Sequence, residues 1–490
     1  MNNADDAIKE IGKDLRYYIP VRIIPAGLHL IGIMLFTRML NPSEFGMYVL
    51  VFAAISLLSP LMSGWLTQSN LRYYERNRIR GLLQHFMTTS VFAFLFSTAL
   101  ALFFWHAIGV LLDQIFDPRL SYLFRLGALT LASRCGLSYV LSILRASRDS
   151  RRYLVYVLVD AAGTLVVAYI LIALFGHGAD AILLAAGVIG CAISCVELFR
   201  YGKQYVKEPK RFSTRKLREF LKYGVPLSAA SVGSTTLIMA DRFMIGYIVG
   251  AQAVGVYAAG YRVAQMSIIL LAELVMLAAY PIVIQLFEKS VESDTRVLLE
   301  NLIGMYVVIL VPFVFIVAIL SKDIADLMLG PAFRDAFFIF PWIAAGAFCS
   351  GLTMYVSKPF ELRERTHFLL YLIAAASGLN IVMNLLLIPR YGIIGAAIAS
   401  VLAYAIYLIS SWFLSTRIFT WKWPWQTVAK ALLSAMAMAL AVYYANKWST
   451  SGVHILMAKL ALAVSVYSVF LLLLRERYFI KIVQDMRRML

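Results

Sequence analysis

Several ionisable or amide side chains in this chain fall inside long apolar runs or at their edges: Arg22, Arg134, Asp160, Arg262, Gln265, Glu273 and Lys358. A charge in hydrocarbon is expensive unless it pairs or faces water, so each such residue is a functional candidate. Arg134, Ser138, Ser142 and Arg145 recur at intervals of four, four and three, which places them on one stripe of a helix. That stripe is either the lining of a wet cavity or the seat of an ion pair between Arg134 and Asp160 of the next apolar run. Arg262, Gln265 and Glu273 share a second face, because eleven residues is close to three helical turns. Arg22 shares a face with Pro25 and His29, and it either lines a cavity or snorkels to headgroups. A guanidinium stays protonated in any such site and takes phosphate oxygens in pairs. Arg262 foremost, with Arg134, Arg22, Lys358 and Gln265, is therefore expected to bind substrate. Asp160 and Glu273 are the acids available to carry a coupling ion.

The elements that position these residues must be membrane helices. Of 490 residues 61% are hydrophobic and 15% charged, with a mean hydropathy of +0.78. Uninterrupted apolar runs of about 20 residues recur along the chain, the length that spans a bilayer as a helix. Their continuity excludes a β-barrel, which would alternate. Fourteen spans are expected. The first six are Tyr17–Leu40, Phe45–Leu66, Phe86–Leu112, Leu120–Leu144, Tyr153–Phe175 and Ala179–Phe199. Six more are Leu221–Ala240, Val254–Leu286, Leu298–Leu320, Ala336–Val356, Phe368–Leu387 and Ile394–Leu414. Val428–Tyr444 and Leu456–Leu474 complete the set.

Lysine and arginine concentrate in the loops after even-numbered spans, such as "RYYERNRIR", "RASRDSRR" and "KPFELRER". Loops after odd spans, such as "DQIFDPR" and "GHGAD", are nearly neutral. By the positive-inside rule both termini are cytoplasmic, and the net charge of +18 is topogenic, so no nucleic-acid partner is expected. No secretory cleavage site is visible at the N-terminus. The four cysteines lie in apolar runs without metal-ligand spacing, and no metal or cofactor is expected.

Polar residues at the first hairpin have a mechanical reading. In "LNPSEFGMY" Pro42 suits the first helical turn, Asn41 or Ser43 can cap exposed N–H groups, and Gly46 lets backbones approach. The pattern returns: "YGVP" opens the seventh span as "YYIP" enters the first, and "VGVY" (Val254–Tyr257) echoes "FGMY" (Phe45–Tyr48). Both hairpins turn on the same side, which implies a parallel duplication of six helices.

"RMLNPSEFGMYVL", the segment Tyr223–Ala264 with its Asp241-Arg242 pair, and "LNIVMNLLLIPRYGIIGAAIAS" together resemble the polysaccharide-transporter branch of the MOP superfamily, the Wzx-like flippases. The resemblance covers the first twelve spans. It implies an all-α membrane protein with two pseudo-symmetric six-helix lobes plus two C-terminal helices. The expected divisions are 1–200 for the N-terminal lobe, 201–220 for a basic cytoplasmic linker, 221–415 for the C-terminal lobe, and 416–490 for the last two helices and tail. It also implies a bacterial inner-membrane flippase that carries a polyprenyl-pyrophosphate-linked oligosaccharide outward by alternating access. Membrane lipids and a glycan polymerase or other export proteins would be its partners. The alternative is a cation-coupled multidrug exporter of the same superfamily, which would favour acidic cavity groups. An enzyme is not expected, because outer loops are short and no residues have catalytic spacing.

Overall fold

The computed structural model describes residues 2–113, 117–205, 211–288, 292–448, 452–481 and 484. Residues 206–210 of the expected basic linker, 114–116 of "DQIFDPR" and part of the basic C-terminal tail lie outside the described residues. Among those described there are helices and no strand. The first half runs α1 (Asn2–Met39), α2 (Pro42–Ser59), a π-helical turn (Pro60–Gly64), α3 (Trp65–Ile79), α4 (Leu83–Leu112), α5 (Pro118–Ala146), α6 (Ser150–Phe175), α7 (Asp180–Tyr205) and α8 (Thr214–Ile248). It continues with α9 (Ala251–Glu288), α10 (Glu292–Ile319), α11 (Ser321–Met328), a 3-10 segment (Pro331–Ile339), α12 (Phe340–Val356), α13 (Lys358–Leu362), α14 (His367–Ile418), α15 (Trp425–Trp448) and α16 (Val453–Leu473).

Twelve described stretches are long and apolar enough to cross a bilayer. Two features separate that figure from fourteen. The expected seventh span lies within α8, whose "SAASVGSTT" run dilutes its apolarity, and α8 is not among the twelve. α14 counts once, yet its 52 residues would reach about 78 Å as a straight helix, far beyond the roughly 30 Å of hydrocarbon. Gly392, at φ 57° and ψ −135°, breaks it where "IPRYGIIG" was expected to turn. The second span overruns its expected end at Leu66, continuing through the π turn to Ile79.

The helix starts follow the chain's polar punctuation. The Asn41 side chain accepts from the Glu44 amide at 2.8 Å, and Pro42 occupies the first turn. Asp117 caps α5 through the Arg119 amide at 2.7 Å, again with proline following. These caps satisfy N–H groups that have no partner within the helix.

The chain divides into two compact units, Met1–Gly255 and Val256–Leu490. In the first, α5 packs most extensively on α7, α1 on α6, and α3 on both α5 and α8. Its core is aromatic: Trp105 stacks on Phe124 at 4.0 Å and donates its indole N–H to the Phe124 carbonyl at 2.8 Å. Phe94 stacks on Tyr139 at 4.5 Å, and Phe220 of α8 meets Phe86 edge-on. In the second unit α12 packs on α14 and α10, while α15 and α16 pack together against α10. Tyr467 of α16 donates to the Val308 carbonyl at 2.8 Å, and buried Lys459 pairs with Asp323 at 2.9 Å. The thirteenth and fourteenth spans are thus integral to that unit's core.

Because Gly392 holds a left-handed backbone conformation, Gly392→Ala is expected to destabilise the protein by about 1 kcal/mol. Gly378→Ala, mid-helix with open space around the new methyl, should be neutral or stabilising. Thermal unfolding of both variants in detergent checks this, and equal shifts would contradict it.

Candidate functional site

At one end of the first unit, three interhelix turns are tied together by charge. Arg119, at the start of α5, grips Glu44 with two parallel bonds, Nε to Oε1 and Nη2 to Oε2, both 2.9 Å. The same Nη2 reaches Asp180 at the start of α7 at 2.8 Å. His177 Nδ1 lies 2.6 Å from the other Asp180 oxygen, and the Ala179 amide donates to Glu44 at 3.0 Å. A bidentate guanidinium–carboxylate pair is among the stronger polar contacts available. His177 is exposed and also bonded, because the helix turn beside it brings Asp180 back to its ring. The acids also sit in the first turns of α2 and α7, where the helix dipole favours negative charge.

Just inside this end, α2 crosses the start of α9. A Cβ on Gly46 would collide with the Ala251 carbonyl, and one on Gly255 would collide with the Pro42 carbonyl. Pro42 precedes Gly46 by four residues, as Ala251 precedes Gly255. The contact is therefore reciprocal between the two copies of the repeated hairpin motif.

Toward the other end, α3 and α8 are joined by polar bonds. Ser69 donates to the Phe220 carbonyl at 2.9 Å, Arg76 pairs with Glu219 at 2.7 Å, and the Lys216 amine donates to the Asn77 amide oxygen. Burial pushes the Lys216 amine below its ordinary pKa; Glu219 opposes this, while Arg76, Arg80 and Arg215 add to it. Higher up, the Ser228 hydroxyl donates to the carbonyl of Pro60 in the π turn. A buried chain then links α3, α4 and α5: Asn70 to Ser142 at 3.1 Å, Ser90 to Asn70 at 2.9 Å, and Tyr139 to Ser90 at 3.1 Å.

Of the residues singled out in the sequence, the structure brings Arg134 and Asp160 together. Arg134 Nη1 lies 3.4 Å from Asp160 Oδ2, and the guanidinium covers the Phe52 ring at 5.6 Å. The Arg134 Nε is buried without an acceptor among the described residues. The stripe itself is divided: Ser138 and Arg145 are exposed, while Ser142 is buried in the Asn70 chain. Arg22 and His29 are exposed. In the second unit Arg262 is exposed and Glu273 half-buried, and Gln265 donates to the Tyr261 hydroxyl at 3.3 Å. Lys358 pairs with Glu361 at 2.7 Å and covers the Tyr280 ring at 4.3 Å, while the Tyr280 hydroxyl donates to the same carboxylate at 2.5 Å. Asn384 donates to Asn380 at 2.9 Å along one helix. Asp241 and Arg242 form a buried local pair at 2.6 Å.

Sequence reasoning passed over Glu197. Its side chain is fully buried near the far end of α7, where it takes Arg200 at 2.7 Å, the Tyr156 hydroxyl, and Arg152 at 3.7 Å. The available signal was Arg200 three residues on, a spacing that puts both on one helix face.

The fold is that of a multi-helix membrane protein with charged pairs buried among apolar helices. It is similar to the structure of the lipid II flippase MurJ in an inward closed conformation, with a TM-score of 0.76, 14% identity, and 94% of this chain and 99% of that one covered. An inward-facing multidrug-resistance MATE transporter of the MOP superfamily follows at 0.67, with 16% identity over 82% and 97%. The chain belongs to the polysaccharide biosynthesis protein family, whose model matches residues 35–337. A curated relative from Haloferax volcanii, the probable low-salt glycan biosynthesis flippase Agl15, is 21% identical over 234 residues, 48% of this chain and 49% of that protein. The chain spans about half the length or less of the curated relatives it matches.

The reciprocal crossing generates a test by non-additivity. Gly46→Ala and Gly255→Ala are each expected to destabilise by about 2 kcal/mol, the scale of overpacking. The double variant should cost little more than either alone, since one separation relieves both collisions. Thermal unfolding of the three variants in detergent checks this. Fully additive costs would show that the two collisions are independent.

Proposed function

We propose that this protein moves a polyprenyl-pyrophosphate-linked oligosaccharide from the cytoplasmic to the outer leaflet by alternating access, supplying glycan for surface or exopolysaccharide assembly. On this reading it lies in a bacterial cytoplasmic membrane with both termini in the cytoplasm, and the Asn41 end of the first unit faces outward. The supporting observation is a guanidinium only partly satisfied inside an apolar helix. Arg134 has one long bond to Asp160 and an orphaned Nε, whereas Arg119 makes three short bonds. A diphosphate oxygen would complete Arg134's shell, and charge-assisted bonds of this kind are the strong ones. Arg262, Arg22, Lys358 and Gln265 are proposed to share the headgroup, and Asp160 and Glu273 to carry the coupling ion. The Haloferax relative, a probable low-salt glycan biosynthesis flippase, supports this assignment.

The family relation, together with flippases and transporters among its relatives, favours transport over catalysis. The MATE-like fold keeps a cation-coupled drug exporter as the competing reading. Arg262→Ala separates them, because a pyrophosphate depends on that cation and a cationic drug does not.

Reconstitution in liposomes with a fluorescent polyprenyl-pyrophosphate oligosaccharide tests the proposal by following its arrival in the opposite leaflet. Arg262→Ala and Arg134→Ala should each slow transfer by about tenfold or more, the loss of one charge-assisted bond. Replacing Arg134 and Asp160 together by Met and Leu separates substrate binding from structure: an ion pair kept only for stability tolerates apolar replacement, so wild-type transfer by that double variant would remove Arg134 from the site. No transfer by the intact protein across several glycans would end the assignment.

A further inference from the structure

A cavity of about 910 Å³ lies between α2, α4, α5 and α8 of the first unit, at the upper end of the range for small-molecule sites. None of the charged residues assigned above to the diphosphate lines it. Its wall on α2 is one helical stripe running from Ser43 through Leu50 and Leu57 to Leu61, a distance of about 27 Å at the rise of an α-helix. The space is therefore a slot and not a compact pocket.

The slot's chemistry is that of hydrocarbon. No lysine or arginine lines it, which leaves a phosphate without a counter-ion. Three of its polar side chains are already engaged: Trp105 with the Phe124 carbonyl at 2.8 Å, Asp117 with the Arg119 amide at 2.7 Å, and Thr236 with the Val232 carbonyl at 2.9 Å. Its rim is open on apolar side chains. Leu61 is 49% exposed, Ile108 40% and Tyr247 86%, and in a membrane-spanning chain such exposure faces lipid.

Length decides which hydrocarbon. One leaflet contributes about half of the roughly 30 Å hydrocarbon core, so an acyl chain anchored at either surface ends near the midplane and fills only half of the slot. A chain that occupies all of it must be longer than a leaflet is deep. We propose that the slot holds the long polyisoprenoid chain of the carrier lipid, entering past Leu61, while the glycan crosses elsewhere. This inference rests on the proposed function, because that reading supplies a polyprenyl-linked substrate.

The test uses the full chain in phospholipid vesicles. One probe is a long-chain polyprenyl phosphate with a diazirine near its tail terminus. The other is a phosphatidylglycerol with a diazirine at the end of an acyl chain of ordinary length. Labelled peptides are mapped by mass spectrometry. The polyprenyl probe is expected to label the stripe beyond Ala54, in the region of Met47, with labelling reduced about tenfold by excess unlabelled polyprenyl phosphate. The phospholipid probe should label no deeper than the middle of the slot. Ala54→Phe, which fills the middle of the slot, should abolish polyprenyl labelling beyond it and slow transfer of a long-chain glycolipid more than that of a short-chain analogue. Equal labelling of the stripe by both probes, or none by the polyprenyl probe, would overturn the proposal, and the unmodified protein alone gives that answer if the variant does not fold. Glycan transfer without slot labelling would refute the slot and leave the flippase reading standing. Competitive labelling without transfer of any glycan would do the reverse.

Discussion

A polar group carried into hydrocarbon has no water to fall back on, and the whole structure is arranged around that constraint. Helices satisfy their own backbones. Hydroxyl side chains do the same locally: Ser56 bonds the Phe52 carbonyl at 2.8 Å and Ser63 the Ser59 carbonyl at 2.9 Å. Where a helix must be joined to its neighbours, polar chains are closed on themselves, as in Asn70, Ser90, Tyr139 and Ser142. Arg134 departs from that background, because its side chain combines a long ion pair with a buried, unmatched N–H, as Glu197 does with a buried, unmatched oxygen. A group left short of partners in such a protein is where a ligand has something to gain.

The same constraint explains how much was legible beforehand. Apolar runs long enough to span a bilayer are visible in any one window of sequence, so the helices and most of their order follow from composition. Caps are equally local. Asn41 and Pro42 announce the start of α2, and Gly392 announces the break in α14, because the chemistry of a turn is written within a few adjacent residues. Even the Arg134–Asp160 pair was open to reading as one of two alternatives, since its members lie on successive spans.

What stayed hidden depends on which helix lies beside which. Arg119 meets Glu44 across 75 residues and Asp180 across 61, and nothing in a 3.6-residue period states that three turns will converge. Glu197 was overlooked for the same reason, as its partners Tyr156 and Arg152 come from the preceding helix. Helical periodicity tells which residues share a face; it does not tell what the next helix will offer that face. The slot between α2, α4, α5 and α8 is a further case. Each of its walls reads as ordinary lipid-facing or core apolar surface, and only their separation makes a site.

The two contacts that α2 and α3 make with α8 and α9 differ in kind, and the difference bears on motion. Near the Asn41 end, the closest approach is backbone against backbone, glycine on carbonyl in both directions. Separating it costs dispersion contacts and leaves glycine carbonyl neighbours that already have helical partners, so no charge is stranded. Near the far end, Arg76–Glu219 and the Lys216–Asn77 bond hold α3 to α8; the ion pair is partly exposed, so water can replace it as it parts, whereas Asn77 is buried. On the proposed alternating-access reading, each end must open in turn without leaving an unsatisfied polar group in lipid. Glycine packing would answer that need at one end, and the water-accessible Arg76–Glu219 pair at the other.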